Sequence, residues 1–282
     1  MSNYLKYLKE QLDFLSNWRN NLDELIHNLT FENGDIRKDY FRMSYNNVRQ
    51  YHVEYNSYVI SCLLNDGSIK LSEELNSSFG EHLIELKALT KYELDMQKYY
   101  NSLNHRAIVM AWSLFELAIS TVFNHVCADE KKEKYLNKRY NEIKSKIKDE
   151  DKEFVKNKLK TRSPYLISMP LKYGHLFSKL KSYPGNRKRD EEFLVFFGKL
   201  RNTIHANFIY FGNDYEYTFG NAHFVFKNEV LVKWIDPWEI DTNLPSVRLY
   251  VHLIGRLNEI ALNLFQSLTI DDIIAYPDPD AP

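Results

Sequence analysis

Glycine and proline are scarce in this chain, with 9 and 8 in 282 residues. Both residues interrupt helices, so their rarity predicts long ones. Cysteine is rarer still: Cys62 and Cys127 lie far apart, with no Cys-x-x-Cys between them. That argues against a disulfide framework and against a cysteine-built zinc site; both thiols are expected to be small buried hydrophobes in a reducing cytosol. Nor is there an excess of one charge, since 37 Lys and Arg face 38 Asp and Glu for a net charge of -1. A generally basic nucleic-acid binder is thereby excluded, and any anion-binding surface must be local. The opening residues Met1-Ser2-Asn3-Tyr4-Leu5-Lys6 lack the apolar core of a secretory signal. The most apolar stretch, Ala107 to Phe123, is broken by Glu116. It is shorter than the roughly 20 residues a membrane span needs, so a buried helix, no membrane partner and a cytoplasmic location are expected.

The familiar catalytic signatures are missing as well. There is no Gly-x-x-x-x-Gly-Lys-Ser/Thr phosphate loop, no Gly-x-Ser-x-Gly elbow, no His-Glu-x-x-His and no His/Cys set at zinc spacing. The 9 histidines are scattered. No metal and no cofactor are expected, which leaves chemistry that side chains do alone.

Helical periodicity is what the chain has in abundance. Apolar residues recur at helical spacing from Tyr4 to about Leu29 (Leu5, Leu8, Leu12, Leu15, Leu22, Leu25, Ile26). Asn33-Gly34-Asp35 stops that helix, and Asp35 is placed to cap a second one from Ile36 to about Leu64. Ser72-Glu73-Glu74 opens a third, carried to about Tyr100 with an interruption near Gly80. Ser102 to Cys127 reads as a central helix, apolar nearly all round, with Glu116 inside it. A carboxylate there needs a partner: a neighbouring helix, or Arg201 and His205. Asp129 to Arg162 is dense in charge and carries Lys144, Lys146, Lys148, Lys152, Lys156, Lys158 and Lys160. It reads as a solvated face or as an RNA-backbone surface. A short helix from Pro170 to Lys181 precedes a turn with the basic triplet Arg187-Lys188-Arg189, and Asp190-Glu191-Glu192 then suits a helix first turn. That helix is expected to run to Phe211. Beyond it the period changes to two: Tyr215–Phe219 and Ala222–Lys227 flank a Gly220-Asn221 turn, and Val230–Trp234 is a third strand. Ser246–Leu268 is the last helix, and the tail from Pro277 is expected to fray. The expected fold is mainly α, with a small β-hairpin or meander at about residues 215–235 inserted before the last helix. A helical region over residues 1–100 precedes a helical domain over residues 101–282.

One stretch combines polar chemistry with an apolar setting. Leu200-Arg201-Asn202-Thr203-Ile204-His205-Ala206-Asn207 follows Phe193-Leu194-Val195-Phe196-Phe197. On a helix Arg201, Asn202 and His205 project to neighbouring positions on one surface. These residues suit RNA cleavage through the 2'-hydroxyl. A histidine exchanges protons near neutral pH, an arginine fork grips phosphate oxygens, and an asparagine orients either of them. Beside the Arg201 cation, His205 is assigned as the base. One such histidine per chain leaves the acid unassigned, and a two-fold symmetric dimer would supply it. The alternative is that the trio pairs with Glu116, tyrosines and backbone groups at a helix crossing.

This Arg-Asn-x-x-His string on a helix, beside a long apolar helix and ahead of a strand pair and a last helix, resembles the HEPN superfamily over about Asn101 to Leu268. The resemblance implies a helical HEPN-like bundle, a metal-independent RNase of antiviral defence or toxin–antitoxin systems, RNA as substrate, a homodimer and a possible protein partner or antitoxin. Carried over, Arg201, Asn202 and His205 form the catalytic set, with Glu116 and Asn207 behind them. Arg187, Lys188, Arg189, Lys144 and Lys148 would grip RNA. Three residues separate Arg201 from His205, fewer than the family's usual spacing. Asn207 stands where some toxin members carry a nucleotidylated tyrosine, so that form of regulation is not implied. A non-catalytic HEPN-like binding or dimerisation module is the other function in view.

Overall fold

The computed structural model describes residues 3–65, 67–89, 93–161, 166–235, 237 and 247–275. Among them the chain is mainly helical, with a small antiparallel sheet before the last helix, as the periodicity predicts. The helices are α1 (Asn3–Asn28), α2 (Ile36–Asn65), α3 (Glu73–Leu89), α4 (Glu93–Val126) and α5 (Asp129–Ile143). After two 3-10 turns come α6 (Lys152–Thr161), α7 (Met169–Lys179), α8 (Arg187–His205) and α9 (Val247–Ser267). The Ser163-Pro164 break and the tail from Pro277 lie outside the described residues.

Several boundaries differ from expectation. The third helix ends at Leu89, and Glu93 to Tyr100 belong to α4, the longest helix among the described residues. Its segment Ser102–Val126 is long and apolar enough to cross a membrane by length and composition, where the sequence suggested a shorter run; half of its most apolar window is buried within the protein. Helix α8 starts three residues early, so the basic triplet leads its first turn and Asp190 closes it, with Glu191 and Glu192 beyond. Asn186 makes this possible by capping: its side-chain oxygen accepts the Arg189 amide at 3.1 Å. Of the two thiols, Cys127 is buried as expected, but Cys62 is only half-buried; neither forms a disulfide.

The chain divides into two compact units, each assembled from three separate stretches. The first comprises Met1–Asn28, Ser44–Ala111 and Lys199–Arg256. Here the Val247 amide, an orphan donor at the start of α9, is satisfied by the side-chain oxygen of Gln11 at 3.1 Å. Tyr51 donates to Asn104, Arg106 pairs with Glu54, and Asn47 donates to the Ala107 carbonyl at 3.2 Å. These bonds tie α2 to α4 within the unit. The strands also belong here. β2 (Tyr215–Phe219), β3 (Ala222–Phe226) and β5 (Lys233–Ile235) form an antiparallel sheet in the order β2-β3-β5. β1 (Ile209–Tyr210) and β4 (Val230–Leu231) form a separate two-stranded ribbon. The expected single strand Val230–Trp234 is therefore two strands serving two sheets. Between β2 and β3 only Gly220 takes a positive φ, +57°, which suits the first position of a tight hairpin turn.

The second unit comprises Leu29–Met43, Trp112–Gly198 and Leu257–Pro282. Its core is aromatic. Tyr40 meets Phe41, Phe115 and Phe265 edge-on, and its hydroxyl donates to Asn258 at 2.7 Å. Trp112 stacks on Phe197 with centroids 5.6 Å apart. A Cβ on Gly198 would meet the Trp112 ring at 3.1 Å, so the missing side chain lets the indole lie against α8. Asp35 caps α2 by accepting the Arg37 amide at 2.8 Å. The same carboxylate accepts Arg37 Nη2 at 2.6 Å and Nε at 3.0 Å, while Arg37 reaches the carbonyls of Asp272 and Ile270 at 3.1 and 3.4 Å. Burial pushes the Asp35 carboxyl up, but the hydrogen bonds and charge of Arg37 outweigh it and hold the group below the usual carboxylate range.

Candidate functional site

Helix α8 carries the motif in its last turn, not in its middle. It ends at His205, six residues before the expected Phe211, because Asn207 and Phe208 both enter the left-handed region, with φ of +53° and +66°. Asparagine tolerates that conformation; a bulky phenylalanine there is strained unless its surroundings fix it. They do. The Phe208 amide donates back to the Thr203 carbonyl at 2.6 Å, and its carbonyl accepts the Val232 amide at 2.8 Å. Strand β1 then begins where a helix was expected, since alternating burial at Ile209 and Tyr210 suits the ribbon with β4.

The consequence for the motif is exposure. Leu200 and Thr203 are buried on the inner side of this turn, while Asn202 and His205 are exposed and Arg201 is half-buried. The Arg201 guanidinium donates from Nη1 to the Asn202 side-chain oxygen at 3.1 Å. His205 lies one turn beyond Arg201, and among the described residues nothing hydrogen-bonds its ring. The trio is therefore brought together on one outward face, with a guanidinium steadied by an amide and an imidazole exposed one turn on. Asn207, expected behind the motif, is exposed and lies past the helix end.

No family profile, curated protein or solved structure matches the chain. The site is consequently read from its own residues. Glu116 belongs to the second unit and is half-buried, not enclosed as expected. Its charge acts on Lys172, a buried lysine of α7 whose Nζ donates to Ser120 at 2.8 Å. Burial pulls the Lys172 ammonium down and the charge of Glu116 partly restores it, which couples α4 to α7 electrostatically.

The basic residues assigned to RNA divide in two. Lys188, Arg189, Lys144 and Lys148 are exposed in the second unit. Arg187 is exposed too, but it is also held by Glu191 at 2.9 Å, by the Phe177 carbonyl at 3.4 Å and over the Phe177 ring, which makes it a brace for α8. Around Lys144 and Lys148, the pairs Lys132–Asp129, Arg139–Glu142, Lys152–Asp149 and Lys148–Glu150 alternate the two charges. That is how a solvated face is built. Among the described residues no three His, Cys, Asp or Glu side chains come together at metal-binding distance.

Two residues near the motif escaped sequence reasoning. Lys199, one turn ahead of Asn202, lies 4.8 Å over the Tyr210 ring and 4.9 Å over the Tyr215 ring and donates to the Tyr210 hydroxyl. Its position three before Asn202 was the available signal. The other is His105 of α4, whose ring centroid is 4.4 Å from that of Phe208 and 6.4 Å from that of Tyr250. It lines a narrow, nearly filled crevice with Leu200, Ile204, Phe224 and Trp234. His105 thus packs against the residue that ends the motif helix. Burial alone pushes its imidazole down to about 4. The folded state refuses a proton that the unfolded chain accepts at about pH 6.5, so stability is full above that value and falls as pH drops toward 4. A shift of this size is worth up to about 3 kcal/mol. In denaturant titrations across that range, His105→Leu should flatten the curve relative to the wild type. Parallel curves would show that His105 is not the group responsible.

Proposed function

We propose that the chain is a metal-independent endoribonuclease of the HEPN type, cleaving RNA through its own 2'-hydroxyl and serving in antiphage defence or a toxin system. The observation that carries this reading is the outward face of the last turn of α8, where Asn202 steadies Arg201 and His205 stands exposed one turn on. His205 takes the proton of the 2'-hydroxyl as that oxygen attacks phosphorus. Arg201 binds the non-bridging oxygens as negative charge gathers on them. The bond to the 5'-oxygen breaks, leaving a 2',3'-cyclic phosphate, and the 5'-oxygen must gain a proton. A second copy's His205, brought up by a two-fold axis, supplies it, so the functional form is a homodimer. Lys144, Lys148, Lys188 and Arg189 are assigned to the RNA backbone, and Arg187 only to positioning α8.

The test is RNA cleavage in excess EDTA with product-end analysis. Cyclic phosphate ends, absent with His205→Ala, are the expected result; cleavage that persists in that variant would sink the assignment. A non-catalytic RNA- or protein-binding module has one observation in its favour, the single imidazole on each exposed motif. It predicts retained RNA binding with no product from any variant or from the wild type.

A further inference from the structure

The ribbon of β1 and β4 follows directly on the motif helix, β1 leading out of the turn that ends α8. It has only two strands, so β4 has β1 on one side and, among the described residues, an open edge on the other. In its register Ile209 faces Leu231, and one step along the Val232 amide donates to the Phe208 carbonyl at 2.8 Å. Antiparallel neighbours alternate between pairs that exchange backbone hydrogen bonds and pairs that do not. Leu231 belongs to the second kind, so its N–H and C=O turn away from β1 and toward the open edge. The side chains there are apolar and outward: Leu231 is 57% exposed, and Phe211, two residues past Ile209, is 67% exposed. An open edge with apolar side chains is a template for another strand.

The sequence of the edge says which strand fits it. Glu229-Val230-Leu231-Val232-Lys233 is complementary to itself when two copies run antiparallel. Leucine then meets leucine, Val230 meets Val232, and Glu229 of each copy meets Lys233 of the other. Glu229, Leu231 and Lys233 are all exposed. We propose that β4 pairs with β4 of a second copy across a two-fold axis at Leu231, making one four-stranded sheet from two ribbons. The two Leu231 residues exchange backbone hydrogen bonds on the axis, and two opposite-charge pairs fix the register. The contact joins the two motif turns through a single sheet. Its bearing on catalysis rests on the ribonuclease reading, in which one motif lacks a proton donor and a second copy brings it.

The test is sedimentation equilibrium of the full-length protein, which should show a dimer. Glu229→Lys and Lys233→Glu each set two like-charged pairs across the axis and should raise the dissociation constant about 10- to 100-fold. Mixed in equal amounts, these two variants regain both opposite-charge pairs and should associate as tightly as the wild type. A folding defect cannot produce that rescue. Leu231→Asp should be monomeric. A monomeric wild type, expected if the edge takes a strand of some other protein, overturns the proposal. So does a dimer indifferent to all three substitutions, or a pair of charge variants that fail to combine. The two readings separate: a dimer with charge rescue but no RNA cleavage keeps the interface and removes the ribonuclease. Cleavage by a monomer does the reverse.

Discussion

Replacing Asp35 by alanine is expected to destabilise the second unit by about 3–5 kcal/mol, the range seen when one half of a buried ion pair is removed. The carboxylate is 1% exposed and Arg37 5%, so the variant strands a guanidinium away from water. It also removes the cap of α2 and the acceptor of the Ile274 amide at 3.3 Å. Arg37 would keep only its two carbonyl partners and its position over the Phe31 ring. Arg37→Met alone leaves a buried carboxylate but spares the cap. The double variant should recover part of the loss, because no unpaired charge remains. Urea titrations of the four proteins measure this, and a loss under about 1 kcal/mol for Asp35→Ala would contradict it. The pH dependence has its own sign. With the carboxyl held below its usual range, its contribution is full above about pH 4 and is lost as acid protonates it below that. The His105 loss precedes it, above pH 4, so acid should weaken the protein in two separable stages.

The second large effect concerns activity. Under the proposed mechanism, His205→Ala removes the proton acceptor and should lower RNA cleavage about 10²–10⁴-fold. Its side chain is exposed, so its loss should leave the urea midpoint unchanged. Arg201→Lys keeps the charge but gives up the planar fork that can grip two phosphate oxygens, and its bond to Asn202 with it. A partial loss, between wild type and Arg201→Ala, is expected in single-turnover assays at saturating RNA. If lysine restored full activity, Arg201 would act only as a point charge and the geometric argument would fail.

Most helices were legible because their apolar period is regular and their stops are explicit. Asn33-Gly34-Asp35 delivered both an end and a cap, and Ser72 caps α3 by accepting the Leu75 amide at 3.3 Å. The hairpin was legible for the same reason: Gly220-Asn221 lies between alternating runs. Besides the boundary between α3 and α4 and the division of the third strand, what failed was local to α8. Its start depended on Asn186 capping three residues ahead of the acids, which leaves Asp190 closing the first turn. Its end depended on Phe208, a residue that by itself argues against a left-handed backbone, held there by Thr203 and Val232. No local signal announces a turn fixed by partners elsewhere in the chain. The motif was correctly placed on one helical face, but its exposure followed from that unforeseen end. Lys172 shows the other limit: a lysine buried beside Ser120 and answering Glu116 looks, in sequence, like any surface lysine.

The two units are interleaved along the chain, the last stretch of the first being 199–256 and that of the second 257–282. During synthesis, therefore, neither can close until the ribosome has passed Arg256. The packing that sets the last turn of α8 draws on Tyr250 and Leu253, late in that order. A growing chain would carry Arg201, Asn202 and His205 long before it could hold them in place. Under the proposed ribonuclease reading, that delay would keep the unfinished protein inert while it is still tethered to its own message.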